Sequence, residues 1–321
     1  MKTDRIIAGT LVALCFASVI TGFIFQKNSN PTNAKSNSFS WSDSSFGIKK
    51  ADIAVIDISG PIMYSESNGF GSSGVNANDI IPMLEQIKKD KIKGIFLRIN
   101  SPGGTASASQ AIYEKIMFLK KNSNIKVVSF MEDIAASGAY YIASASDVIY
   151  ANPSTLTGSI GVIMQIPNYT DLQNKIGYQT NTIKSGKFKD IGNSSRKMTD
   201  DERTLLQNLI NDTYNEFAKA VSKGRKLSIE KVKQLGDGRI YTGNQANDNK
   251  LIDKLGSESD AINELARELK IDGEPKLKNY SKASWEKLFG GLSSKSVITG
   301  TVFDSPEFSA SFNKIPLTLY K

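Results

Sequence analysis

Two glycine-containing turns hold the residues best suited to chemistry. Asn100-Ser101-Pro102-Gly103-Gly104 follows the strand-like run Gly94-Ile95-Phe96-Leu97-Arg98-Ile99 and precedes a helical stretch. Paired glycines there let backbone N–H groups approach a ligand closely and point at an anion beside a helix N-terminus, although a plain strand-to-helix turn uses the same letters. No Gly-Lys-Ser/Thr follows, so this is not a phosphate-cradling P-loop. The second turn, Ala135-Ala136-Ser137-Gly138-Ala139-Tyr140-Tyr141, comes shortly after the run Ile125-Lys126-Val127-Val128-Ser129-Phe130. Small residues around a serine at a sharp entry into an apolar helix would expose the Ser137 hydroxyl at the carboxyl edge of a sheet, where open α/β folds place ligands. That is the geometry of a nucleophile elbow without its Gly-x-Ser-x-Gly letters; a serine N-cap with small packing residues is the plainer alternative.

A nucleophilic serine needs a base, and the chain has no histidine and a single cysteine, Cys15. This excludes Ser-His-Asp and Cys-His catalysis, His-Glu-x-x-His zinc chemistry and any disulfide within the chain. A lysine serves instead if burial brings its amine from about 10.4 to about 7. The stretch Ile183-Lys184-Ser185-Gly186-Lys187-Phe188-Lys189-Asp190 ends a strand-like run in a turn with three lysines. Composition alone does not choose among them.

The elements that must position these turns follow an α/β pattern. Ile53–Ile58, Gly94–Ile99 and Ile125–Phe130 read as strands. Ile80, Leu84 and Ile87, then Ile112, Ile116 and Leu119, mark the buried stripes of two intervening helices. Strand, helix, strand, helix, strand implies right-handed parallel crossovers. After residue 199 the pattern turns helical. Thr199-Asp200-Asp201-Glu202 spells a capping box, Leu206, Ile210, Phe217 and Val221 share one helical face, and shorter helices are predicted near 228–235 and 258–270. The last fifty residues show no clear period and read as an arm that docks on the domain or on a neighbouring subunit.

Residues 6–25 form a 20-residue run without charge, long enough to span a hydrocarbon core of roughly 30 Å and longer than the apolar part of a cleaved signal peptide. Lys2 and Arg5 before it favour a cytoplasmic N-terminus (residues 1–5) with the rest of the chain outside. Residues 26–46, with seven Ser and four Asn, read as a linker. A domain over 47–270 and an extension over 271–321 complete the expected organisation. The net charge of +8 suits an anionic surface, but the lysines are dispersed and no nucleic-acid-binding signature is present, so no nucleic-acid partner is expected.

Taken together, Ile53–Ile62, Arg98–Gly104, Ala135–Asp147, Asn152–Ile163, Lys184–Arg203 and Gly238–Gly256 resemble, in order and spacing, the signal peptide peptidase A family of bacterial membrane-anchored Ser-Lys peptidases. The resemblance implies a Clp protease/crotonase-like fold, Ser137 as nucleophile, Lys189 as general base, and Gly104 with Gly138 as oxyanion-hole positions, with no cofactor or metal. It further implies peptide substrates such as remnant signal peptides, small apolar side chains near the scissile bond, residues 6–25 in the lipid of the bacterial cytoplasmic membrane with the catalytic domain outside, and a homo-oligomer whose active sites draw Ser and Lys from adjacent subunits. Two departures stand out: Ala139 where a second Gly follows the nucleophile, adding a methyl beside the specificity pocket, and Asn249-Lys250 where x-Gly precedes Leu-Ile-Asp. The alternatives are a crotonase-like acyl-CoA enzyme and a non-catalytic membrane scaffold.

Overall fold

The computed structural model describes residues 51–65 and 74–280, together with the backbone of the strand Leu317–Thr318. The predicted span at 6–25 and linker at 26–46 lie outside the described residues. Among the described residues no helix is long and apolar enough to cross a membrane.

The chain runs β1 (Ile53–Ser59), β2 (Ile62–Met63), β3 (Val75–Asn76), α1 (Ala77–Lys89), β4 (Gly94–Ser101), β5 (Gly104–Thr105), α2 (Ala106–Ser123), β6 (Lys126–Ala136), α3 (Gly138–Ala143), β7 (Val148–Ala151) and β8 (Leu156–Gly158). It continues with α4 (Thr170–Lys175), α5 (Asp200–Arg225), α6 (Ile229–Leu235), β9 (Ile240–Thr242), α7 (Gly243–Asp248), β10 (Lys254–Leu255), α8 (Glu258–Glu268), β11 (Leu277–Asn279) and β12 (Leu317–Thr318). The main sheet has the order β10-β7-β6-β4-β1-β11, with β8 paired to β6 and β9 to β8. β1, β4, β6 and β7 are mutually parallel, as the alternation of strands and helices requires. A second sheet, β12-β5-β2-β3, stands beside it.

Continuous apolar runs in β1 and β4 are what a sheet covered on both faces needs. On one face Ile56, Ile58, Leu97 and Ile99 pack with Leu84, Ile87, Ile112, Ile116 and Leu119 from the two predicted helical stripes. On the other, Ile53, Val55, Phe96, Val128 and Phe130 meet Ala261 and Leu265 of α8. The architecture is therefore the expected α/β fold, with the sheet between helical layers.

Three differences from expectation have local causes. β6 runs six residues past Phe130, to Ala136 immediately before Ser137, because β8 takes over as its partner where β7 ends. The segment after 199 is not purely helical: β9 pairs antiparallel with β8, β10 extends β7, and β11 extends β1, each too short to show a period. The fold also continues past 270, since β11 leads to Tyr280, which is buried and donates its N–H to Val55 O at 2.8 Å. The capping box at Thr199/Glu202 is present on α5. Apart from Glu202 in its first turn, the buried residues of that helix lie in its second half, at Phe217, Ala218, Ala220 and Val221, while Leu206 and Ile210 are half-buried.

Candidate active site

β6 and the helix after it aim Ser137. The strand's last residues, Ile134 to Ala136, pair with Leu156 to Gly158, and Thr157 Oγ1 donates to Ala135 O at 2.7 Å. At Ser137 the backbone leaves the strand with φ 54° and ψ −121°, a conformation that favours glycine and costs an L-residue about 1–3 kcal/mol. The turn survives because its neighbours fix it: Ser137 N–H donates to Gly158 O at 2.8 Å, and its carbonyl accepts from Tyr141 N–H at 2.9 Å, opening α3. The strained strand-to-helix elbow expected from small residues is thus present. Ser137 makes no side-chain cap bond to α3, which sets aside the plain N-cap alternative.

The other glycine turn closes on this elbow. β4 slips register against β6 between Ile99 and Ser101, which brings Ser101 opposite Ala135. Gly103 N–H then donates to the buried Ser101 Oγ at 3.1 Å. Gly103 has φ 104°, and a Cβ there would lie 2.8 Å from Gly138 N and 2.9 Å from Ser137 Cβ. A Cβ on Gly104 would meet Ile62 O at 1.8 Å, and one on Gly138 would lie 2.3 Å from Ser109 Oγ and 3.2 Å from Gly104 N. The nitrogens of Gly104 and Gly138 therefore converge on one small space beside the serine, reachable only because these three residues lack side chains. Gly138 is the first residue of α3, so its N–H has no acceptor within the helix. Along the outer edge, β12 lies antiparallel on β5, with Thr318 opposite Gly104 and Leu317 opposite Thr105, so this edge accepts an extended backbone.

One expectation needs correcting. Ser137 stands at the carboxyl edge of the sheet, but it is only 2% exposed, because the Gly103 turn and β8 crowd it. Ala139 also differs from its predicted role beside the pocket: it is fully buried in the main core. Lys250, the other departure, adopts φ 60°.

The lysine block lies on a long surface segment. No residue from 161 to 201 is buried, and Ile176, Tyr178, Ile183 and Leu172 are among the most exposed large apolar residues described. Within this segment Lys184 Nζ pairs with Asp190 at 2.6 Å, and Lys187 pairs with Asp201. Lys189 is exposed and makes no ion pair among the described residues. Arg196 bridges Asp190 and Glu202, and the guanidinium, helped at Asp190 by Lys184 and at Glu202 by the Thr199 N–H, holds both carboxyls well below the usual range. Within one chain, then, the structure joins Ser137, Gly104 and Gly138, and among the described residues no lysine is hydrogen-bonded to Ser137 Oγ. The supporting hydroxyls of Ser101, Ser109 and Thr157 went unread in the sequence, where nothing separates them from other serines and threonines.

A family model described as peptidase family S49 matches residues 119–272, and one described as Clp protease matches 71–163. The chain is 38% identical over 227 residues to a protein of Enterococcus faecium named "Putative signal peptide peptidase SppA", covering 70% of this chain and 66% of that one. It is 38% identical over 229 residues to a protease of Methanocaldococcus jannaschii named only as putative, covering 71% and 73%. With "Protease 4" of Haemophilus influenzae it shares 34% over 212 residues, 66% of this chain but 34% of that longer protein. The aligned part thus spans about two thirds of the first of these relatives. The Clp protease match covers both glycine turns and the S49 match covers the Ser137 turn and the lysine block; with the identity to these relatives, the chain belongs to peptidase family S49 and is a serine peptidase.

Proposed function

We propose that the chain is a membrane-anchored endopeptidase in which Ser137 attacks and Lys189 of a neighbouring copy acts as general base. The observation that carries this reading is the strained Ser137 elbow, with the Gly104 and Gly138 nitrogens gathered beside it in a chain that has no histidine. Lys184 and Lys187 pair with Asp190 and Asp201, and of the three lysines at 184–189 this leaves Lys189 without an ion pair among the described residues.

The steps follow from these groups. The neutral Lys189 amine takes the Ser137 hydroxyl proton as Oγ bonds to the scissile carbonyl carbon. The carbonyl π pair moves to oxygen, and the oxyanion is stabilised by the Gly104 and Gly138 amides. The Lys189 ammonium then protonates the leaving nitrogen, the C–N bond breaks, and an ester to Ser137 remains. Water, deprotonated by the same amine, attacks the ester and releases a carboxylic acid and free serine. The substrate backbone adds along the Gly104–Thr105 edge, as β12 does.

A base from a neighbour accounts for the exposed apolar residues between 163 and 188, which need a protein surface to cover them. The apolar run at 6–25 would anchor the chain in the bacterial cytoplasmic membrane with the domain outside, where remnant signal peptides and other unfolded peptides are within reach; one relative bears the name of a signal peptide peptidase. Family membership weighs against the acyl-CoA alternative. The direct test is turnover of a fluorogenic signal-peptide-like substrate by the full chain in detergent. Cleavage by the native chain and none by Ser137→Ala supports the reading; cleavage that survives Ser137→Ala refutes it.

A further inference from the structure

The parallel register sets Ile53, Gly94 and Lys126 side by side, so one edge of the main sheet holds the starts of β1, β4 and β6. The chain enters the described fold at that edge, coming from the apolar run at 6–25 and the polar stretch at 26–46. The helices that deliver the chain to β4 and β6 end there too. α1 finishes on Lys88 and Lys89, and the last turns of α2 carry Phe118, Lys120 and Lys121.

These ends build a surface that sets lysines beside an exposed aromatic ring. Phe118 is half exposed, and the ammonium groups of Lys88 and Lys115 each lie 5.4 Å from its ring centroid. Met117, Phe118, Lys120, Lys121 and Lys223 line an open concavity of about 460 Å³ beside it. Lys115 and Lys120 are neutralised by Glu85 and Asp147. Lys88, Lys89, Lys121 and Lys223 are exposed and have no carboxylate partner among the described residues. A half-exposed aromatic ring beside the uncompensated Lys88, on a face that also carries Lys89, Lys121 and Lys223, fits the headgroup region of an anionic bilayer, where the ring enters the acyl boundary and the ammonium groups meet phosphates.

We propose that this face docks on the anionic phospholipid surface of the membrane in which the chain is anchored. The proposal rests on the anchor reading above, and two features favour a bilayer over a soluble anion. The patch sits on the sheet edge at which the chain arrives from residues 6–46, and it pairs charge with an apolar ring instead of closing around one phosphate. Each free lysine adds about fivefold to surface partitioning at low salt, an effect that falls off within a Debye length of roughly 8 Å at physiological salt.

The test uses the full chain with Cys15→Ser and Phe118→Cys, the new thiol carrying an environment-sensitive fluorophore, reconstituted into vesicles of phosphatidylcholine alone or of an equal mixture with phosphatidylglycerol. Flotation with both vesicles reports the anchor independently of the patch. The expected result is a blue-shifted label, shielded from an aqueous quencher, only in the anionic vesicles, reversed by high salt and abolished by replacing Lys88, Lys89, Lys121 and Lys223 with Gln while flotation persists. A label equally exposed in both vesicles overturns the proposal. So does a blue shift already present in detergent, which would mean that a second copy covers this face. Loss of flotation from both vesicles is a failure of the anchor reading instead, and the patch is then judged by whether the same chain binds anionic vesicles at low salt through these lysines; no such binding overturns it.

Discussion

If each active site takes its serine from one chain and its lysine from the next, two dead variants should revive each other. Ser137→Ala keeps the base and Lys189→Ala keeps the nucleophile. Each alone should fall by about 10³-fold or more, the scale on which removal of a nucleophile or its base is felt. In a closed ring assembled from equal amounts of both, half the chains supply Ser137 and half supply Lys189, so about a quarter of the sites hold one of each. The expected turnover is therefore about a quarter of the native value, far above either parent. The structural ground is that Ser137 is 2% exposed, whereas Lys189 lies in a segment with no buried residue, and no hydrogen bond joins the two within one chain. The assay is co-expression with two affinity tags, sequential purification to secure mixed assemblies, and turnover of the fluorogenic peptide. Mixed assemblies as inactive as their parents would refute a shared site and return the base to the serine's own chain.

Three further outcomes follow from particular residues. Gly138→Ala places a Cβ 2.3 Å from Ser109 Oγ and should lower kcat about 10²–10³-fold by displacing an oxyanion donor; adding Ser109→Ala removes that contact and should restore part of the loss, with no restoration counting against the steric account. Lys250→Gly should raise stability by about 0.5–1 kcal/mol, or about 1–4 °C in Tm, because Lys250 holds φ 60°, whereas Lys250→Ala should gain nothing, and calorimetry distinguishes the two. Asp190 and Glu202 are held below their unfolded values by Arg196, so their contribution is complete above the ordinary carboxyl range and is lost progressively as pH falls from there through the lowered folded values, about 2 for Glu202. Hydrogen exchange over 184–202 should therefore be protected evenly from pH 7 to about 5 and lose protection progressively from about 4 downward; protection undiminished at about pH 2 would contradict the ion-pair account.

The parts of this molecule legible in sequence are those where one local signal decides the outcome. The Thr199/Glu202 capping box needs only four residues, and the Ile112, Ile116 and Leu119 stripe needs only a helical period. Ser137 was legible as an elbow because small residues flanked it on both sides. The two-residue strands β2 and β5 were not, although their pairing puts Gly104 against Ile62, since nothing local marks contacts between segments so far apart in the chain. The burial of Ser137 was invisible for the same reason: it depends on Gly158, twenty-one positions downstream. Lys189 was singled out by resemblance alone, because the property that separates it from Lys184 and Lys187 is the set of carboxylates each one reaches in three dimensions.

The backbone at Ser137 also shapes how such an enzyme would decay. An L-residue at φ 54°, ψ −121° is held against its own preference, while glycine adopts that conformation freely. A lineage no longer in need of hydrolysis would gain stability by exchanging this serine for glycine, so selection itself would erase the nucleophile. Lys189, exposed and outside the core, would drift to any residue without penalty. Loss of function in this architecture is therefore asymmetric: glycine at the elbow beside an intact Ser-Pro-Gly-Gly turn is the mark of retirement, whereas change at Lys189 has no favoured replacement.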